Sequence, residues 1–210
     1  MILKSISVGS YGTNCYIFGS DKTKEVVIID PGADIKKIAT VIKSLGLRPI
    51  AVLLTHGHKD HSQKAVKIAD IYKVPLMFSK REYDLRFFTQ KPADRWLKEG
   101  DEIKIGELTL HVLETPGHTP GSLSFFSKVI KEFENQVIDG VLFTGDLIFF
   151  KRVGAWYYRG GNKDHLYASI KNKIMNNTEL SDNFLLLPGH SKASLIGIER
   201  ESNEHKEMFL

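Results

Sequence analysis

The passage from Ile50 to His61 restricts this chain more than any other. The apolar run Ile50–Leu54 leads straight into Thr55-His56-Gly57-His58-Lys59-Asp60-His61. Such a run reads as a buried strand, and Ala65, Ile68, Ala69 and Tyr72 beyond it fall at helical spacing. The histidine array therefore sits on a strand-to-helix turn, at the carboxyl end of a strand, where side chains converge. Imidazole nitrogen and carboxylate oxygen are the ligands that zinc, iron and manganese accept. Two histidines spaced by two on extended chain reach one ion, while Asp60 and His61 turn toward a second. The array reads as a metal site.

Three further turns repeat the pattern of an apolar strand, a glycine and a ligand-type residue. His118 lies between two Pro-Gly pairs in Thr115-Pro116-Gly117-His118-Thr119-Pro120-Gly121-Ser122, a rigid turn ahead of strand Leu123–Phe126. Asp146 follows Val141–Phe143 through Thr144-Gly145, and His190 follows Phe184–Leu187 through Pro188-Gly189. Each alone is as well explained by a turn or a helix cap. Together with the first array they form a ligand set.

The remaining pattern gives strands at Ile2–Val8, Cys15–Phe18, Val26–Ile29 and Val74–Phe78, and a hairpin of Glu102–Ile105 with Leu108–Leu113. Asp30-Pro31-Gly32 stops the third strand. Asp34 is placed to cap a helix whose core face is Ile35, Ile38, Ile42 and Leu45, with Gly46 beyond its end. Residues 79–100 read as a loop with a short helix, its Phe87, Phe88 and Trp96 packing onto the body. A helix is expected from about Asp164 to Met175, and a closing helix from Ser194 onward. No linker divides the chain, so residues 1–210 read as one domain. Strands in both halves end in ligand turns, which suggests two sheets packed face to face with helices outside.

Composition narrows the functional classes. The chain has 210 residues, 42% hydrophobic and 26% charged, with a net charge of +4. Its lysines are spread singly, as on a solvated surface, so nucleic acid is not an expected partner. The single Cys15 cannot form an internal disulfide, which points to a reducing compartment. It sits inside an early strand and reads as a packing residue. A signal-peptide pattern is lacking at Met1–Ile6, and no apolar run reaches the roughly eighteen residues needed to span a bilayer. A cytoplasmic enzyme without membrane attachment is expected.

In order and spacing, the array, His118, Asp146 and His190 resemble the metallo-β-lactamase fold superfamily over nearly the whole chain. The resemblance implies an α/β (α+β) four-layer αββα sandwich of two mixed β-sheets. It implies two divalent metal ions, zinc in the first instance with iron or manganese as alternatives. His56, His58 and His118 would hold one ion, Asp60, His61 and His190 the other, and Asp146 would bridge. Asp30 would brace the ligand turn, and His111, His165 and His205 match nothing. Gly12-Thr13-Asn14-Cys15-Tyr16, Asp30-Pro31-Gly32, Thr115 through Phe126, and Gly197-Ile198-Glu199-Arg200 with Asn203 are similar to the short bacterial hydroxyacylglutathione hydrolases (glyoxalase II). Departures occur around the substrate. The glutathione-binding helical extension of the full-length enzymes has no expected counterpart. Ser191-Lys192-Ala193 stands where they have Glu-Tyr-Thr, and Gly154-Ala155-Trp156-Tyr157 where the short relatives have Gly-Arg-Thr-Asp.

The implied activity is hydrolysis of a small thioester or ester. Two nearby cations lower the pKa of a shared water, and the bridging hydroxide attacks the carbonyl carbon. Asp60 would orient that nucleophile and take its proton. Trp156, Tyr157, Tyr158, Arg159 and Lys192, near ligand turns, are candidate substrate contacts. The alternative is a persulfide (sulfur) dioxygenase of the same fold, with one iron on His56 or His58, His118 and Asp146. A nuclease of this fold would need a nucleic-acid-binding arm or an inserted domain, for which the chain has no room.

Overall fold

The computed structural model describes residues 1–133 and 136–209. They divide into two compact units, Met1–Leu97 with Glu102–Leu110, and Lys98–Asp101 with His111–Leu210.

The first unit contains β1 (Ile2–Val8), β2 (Thr13–Gly19), β3 (Glu25–Ile29), α1 (Ile35–Ser44), β4 (Arg48–Leu53), α2 (Lys59–Ser62), α3 (Ala65–Tyr72), β5 (Leu76–Ser79), α4 (Lys80–Asp84) and β6 (Arg95–Leu97). Its strands form one sheet in the order β1-β2-β3-β4-β5-β6. The first three are antiparallel, and β3 through β6 run parallel. Cys15–Phe18 and Val26–Ile29 are buried throughout, as continuous apolar strands must be when both faces of a sheet are covered. Helix α1 buries Ile38 and Ile42, and α3 buries Ala65, Ile68 and Ala69, into one core with Val26, Ile28, Val52, Leu54 and Phe78.

Two expectations need revision here. Asp34 precedes α1 but its side chain caps nothing in the helix. Instead its Oδ2 accepts from the backbone N of Gly9 at 2.9 Å, tying the helix start to the β1–β2 turn. Residues 79–100 contain the expected short helix, but also β6, which pairs with β5 in the register Met77↔Arg95.

The hairpin strand β7 (Glu102–Ile105) and the start of β8 (Leu108–Glu114) fall in the first unit, and β8 from His111 onward in the second. Then come β9 (Leu123–Phe133), β10 (Gln136–Gly145), β11 (Ile148–Phe149), β12 (Arg152–Val153), α5 (Lys163–Ser169), β13 (Phe184–Pro188), β14 (Ser194–Leu195) and α6 (Ile196–Ser202). The sheet order is β14-β13-β10-β9-β8-β7, with β11 and β12 as a separate hairpin. Strands β10 and β13 are parallel, while β8–β9, β9–β10 and β13–β14 are antiparallel. Both sheets are mixed and carry helices, the α+β class expected. Helix α5 is capped by Asn162, whose side chain accepts from His165 N, and continues as a wider π-helical turn over Ile170–Met175. That turn buries Ile170, Ile174 and Met175 with Leu166, Leu142 and Leu186.

The pairing of β10 with β13 shifts at one point. Phe143 opposes Leu187 and Gly145 opposes Pro188, so Thr144 is an extra residue on β10. Its hydroxyl donates to the carbonyl of Ile148 at 3.0 Å and its own carbonyl accepts from Leu147 N. The bulge closes the turn that bears Asp146.

Candidate metal centre

In the first unit, the ligand turn is built around Asp30. This residue is buried and has left-handed backbone, φ 52°. Its Oδ1 accepts from Thr55 N at 2.8 Å, and its Oδ2 accepts from Thr55 Oγ1 at 2.6 Å and from His61 Nδ1 at 2.9 Å. Asp30, His56 and His61 each offer a potential ligand atom within 4.8 Å of the others. With three donors already on Asp30, its carboxyl acts as the brace and the imidazoles are the available ligands. Gly32 permits this turn, since a Cβ there would lie 1.5 Å from the carbonyl oxygen of Asp60.

The hydrogen bonds fix the tautomers. His61 must carry its hydrogen on Nδ1 to donate to Asp30, which leaves a lone pair on Nε2. Thr55 gives its hydroxyl hydrogen to Asp30, so His56 Nδ1, 3.0 Å from that oxygen, is a donor. His56 Nε2 then accepts from His58 Nδ1 at 3.1 Å, and His58 Nε2 also bears a lone pair. Asp60 Oδ2 lies 3.4 Å from His61 Nε2 and accepts from Thr13 Oγ1 at 3.0 Å.

Sequence reasoning missed a residue here. Glu82, fully buried on α4, accepts from the backbone N of Gly57 at 2.7 Å, between the two histidines. A Cβ on Gly57 would meet the backbone of Phe87 and Phe88 within 2.8 Å, so the glycine admits this close approach. Phe88 joins the core and Phe87 sets its ring 6.0 Å from that of His58. Trp96 packs edge-on against Phe78 at 5.3 Å, the packing role expected of these aromatics.

The second unit assembles its own set at the ends of adjacent strands. Gly145 pairs with Pro188, so Asp146 and His190 leave β10 and β13 side by side. His190 Nε2 is 3.7 Å from Asp146 Oδ2, and His118 Nε2 is 3.4 Å from the same oxygen. His118 Nδ1 donates to the carbonyl of Ala155 at 2.7 Å, again turning the Nε2 lone pair toward a carboxylate. Gly117, at φ 142°, lets this turn press on α5, for a Cβ there would lie 2.3 Å from Leu166 backbone.

These facing lone pairs test whether the residues fit a metal. A carboxylate oxygen and an imidazole lone pair repel unless positive charge lies between them. Two ligand atoms on one tetrahedral ion, each about 2.0–2.1 Å from it, are about 3.3 Å apart. The facing separations of 3.4, 3.4 and 3.7 Å fit that edge. Both sets have the chemistry of divalent-metal ligands.

The candidate substrate residues lie on the second unit. Trp156 packs on that unit's core, 5.7 Å from the Tyr167 ring, and Tyr157 and Tyr158 are exposed. Lys192 lies over Phe150. His111 stacks on Phe126 and His205 Nδ1 meets the Tyr167 hydroxyl at 3.0 Å, so both pack within their unit. Among the described residues no helix is long and apolar enough to cross a membrane.

A sequence model of the metallo-beta-lactamase superfamily matches residues 8–190. The chain belongs to that superfamily. Among its superfamily relatives, hydroxyacylglutathione hydrolase GloC of Haemophilus influenzae is 31% identical, over 97% of both chains. The B3 metallo-beta-lactamase BLEG-1 superposes with TM-score 0.84 at 32% identity, covering 98% of this chain and 99% of its own. ETHE1 from Myxococcus xanthus follows with TM-score 0.79 at 25% identity, covering 100% and 88%. The family expected from the ligand turns is thus borne out.

Proposed function

We propose that this chain is a binuclear metal-dependent hydrolase of a small thioester or ester, of the hydroxyacylglutathione hydrolase kind. The observation that carries the reading is the turning of imidazole lone pairs toward carboxylate oxygens in both units. Likeness to GloC supports the thioester class.

In this reading His56, His58 and His118 hold one ion, Asp60, His61 and His190 the other, and Asp146 serves both. Zinc is the first assignment, with iron or manganese as alternatives. Such ions, when bound, supply Lewis acidity toward a carbonyl oxygen and make water acidic at neutral pH. The chain's own side chains do the rest. Asp30 holds His61 with its Nε2 lone pair outward, and the Ala155 carbonyl does the same for His118. Thr13 fixes the Asp60 carboxyl, whose Oδ2 is the atom proposed to orient the attacking water and receive its proton. Trp156, Tyr157, Tyr158, Arg159 and Lys192 are proposed substrate contacts, Trp156 also packing at the base of their loop. The partner is a small molecule rather than nucleic acid or a membrane, and the setting is cytoplasmic.

Metal analysis of protein purified without chelator, followed by S-lactoylglutathione hydrolysis, tests this. About two metal ions per chain with turnover is the expected result. A single iron with no turnover, and oxygen consumption with glutathione persulfide, would replace the hydrolase with the dioxygenase.

A further inference from the structure

Phe150, at the tip of the β11–β12 hairpin, has two lysines within cation–π range of its ring. Lys192 Nζ lies 4.0 Å from the centre of its ring and Lys151 Nζ 5.4 Å. The neighbouring Phe149 meets the ring of His190 edge-on at 6.1 Å, so the lysine pair stands beside a candidate metal ligand. Both lysines are exposed, and among the described residues neither ammonium has a carboxylate partner. Two ammonium groups around one ring give the hairpin tip a local positive charge that attracts an anion.

The backbone holds this arrangement. Lys151, at φ 60°, and Ser191, at φ 73°, both take left-handed conformations, which side chains disfavour and which persist where the surroundings impose them. At Lys151 the group that holds the backbone is Glu199, fully buried on α6. Its Oε2 accepts from Lys151 N at 2.8 Å and from Asn203 Nδ2 at 2.7 Å, and its Oε1 accepts from Ser194 Oγ at 2.5 Å. Asn203 Nδ2 also donates to the Arg152 carbonyl at 3.1 Å, and Glu204 N donates to that of Lys151 at 3.0 Å. One buried carboxyl thus locks both the hairpin tip carrying Phe150 and Lys151 and the strand that follows Lys192.

We propose that Lys151 and Lys192, mounted on Phe150, form a carboxylate-binding rim, and that the substrate of the adjacent centre carries a carboxylate. The substrate class rests on the hydrolase reading above; the rim itself does not. A carboxylate offers each ammonium an acceptor, and the charge-assisted pair selects it over a neutral compound of the same shape.

Calorimetric titration of the metal-loaded protein with S-methylglutathione, a thioether bearing two carboxylates, tests the rim without turnover. Saturable binding is expected, about tenfold weaker in Lys192→Met and weaker again in the Lys151→Met/Lys192→Met double variant. Added salt should weaken binding in the wild type more than in the double variant. A second arm compares S-lactoylglutathione with S-lactoyl-N-acetylcysteamine, the same acyl group on a thiol without a carboxylate. The wild-type preference for the first should shrink about tenfold in Lys192→Met. No binding, equal binding by the double variant, or an unchanged preference overturns the rim. Lysine-dependent binding with no turnover of either thioester keeps the rim and removes the hydrolase reading instead.

Discussion

Replacing Asp30 by asparagine changes its acceptors while keeping its volume. Asparagine also tolerates the left-handed φ of 52° at this position, so backbone strain does not confuse the result. Three donors point at the carboxyl, from Thr55 N, Thr55 Oγ1 and His61 Nδ1. An amide has one oxygen. With that oxygen toward Thr55 N, the NH2 group confronts both the hydroxyl and His61, and His61 must move its hydrogen to Nε2. With the amide reversed, the hydroxyl and His61 keep an acceptor and the buried Thr55 N–H faces the NH2 group. The second arrangement is the cheaper, with one backbone donor unsatisfied at about 1–3 kcal/mol. Weakening of the two remaining bonds brings the expected loss to about 3 kcal/mol. Because His61 loses its charged partner, metal affinity should fall by about tenfold. Urea unfolding in the presence of chelator measures the first quantity, and competition with a chromophoric chelator the second. An Asp30→Asn protein within about 0.5 kcal/mol of wild type, with unchanged metal affinity, would refute the bracing role.

Glu82→Ala should destabilise the protein by about 3 kcal/mol by leaving the Gly57 N–H without its acceptor, and Glu82→Gln by about 1 kcal/mol, both read from urea midpoints. Gly32→Ala drives a Cβ to 1.5 Å from the Asp60 carbonyl oxygen and should cost more than about 3 kcal/mol, seen as a lowered Tm together with lost metal. Burial, with Asp30 adding to it, pushes the Cys15 thiol well above its ordinary value of 9.0. A raised folded value means its stabilising contribution is complete below pH 9.0 and is lost as pH climbs toward the folded value. Cys15→Ala should therefore flatten the decline of stability between pH 9.0 and 10.0, below the ordinary value of Tyr16, which burial also raises. An unchanged slope would contradict this.

The ligand turns were legible because each joins an apolar strand, a glycine and a scarce residue type, a pattern that local sequence contains in full. Asp30 was legible as the stop of a β-branched strand ahead of Pro31-Gly32, while its bracing role came only through the family resemblance. Glu82 was not. It sits among Lys80, Arg81 and Asp84, where a charged helix reads as solvated, and only the fold reveals that its side chain turns inward to Gly57. Strand β6 is three residues, too short for alternation to show, and exists because β5 leaves it an edge to pair with. Asp34 misled in the opposite way. Its position suits a cap, but the amide of Gly9 in the β1–β2 turn takes its carboxyl. Long-range acceptors of this kind leave no periodic trace in a sequence.

The extra residue Thr144 sets the spacing of the second ligand set by counting rather than by chemistry. Because Phe143 and Gly145 face consecutive residues of β13, Asp146 reaches His190 only with that one residue of slack. Deleting it would draw Asp146 back by one strand step, about 3.3 Å, and turn its side chain to the opposite face. The segment thus works as a vernier. In redesign, a serine at this point would keep the hydroxyl bond to Ile148, whereas chain length cannot be changed without misaligning the two ligands.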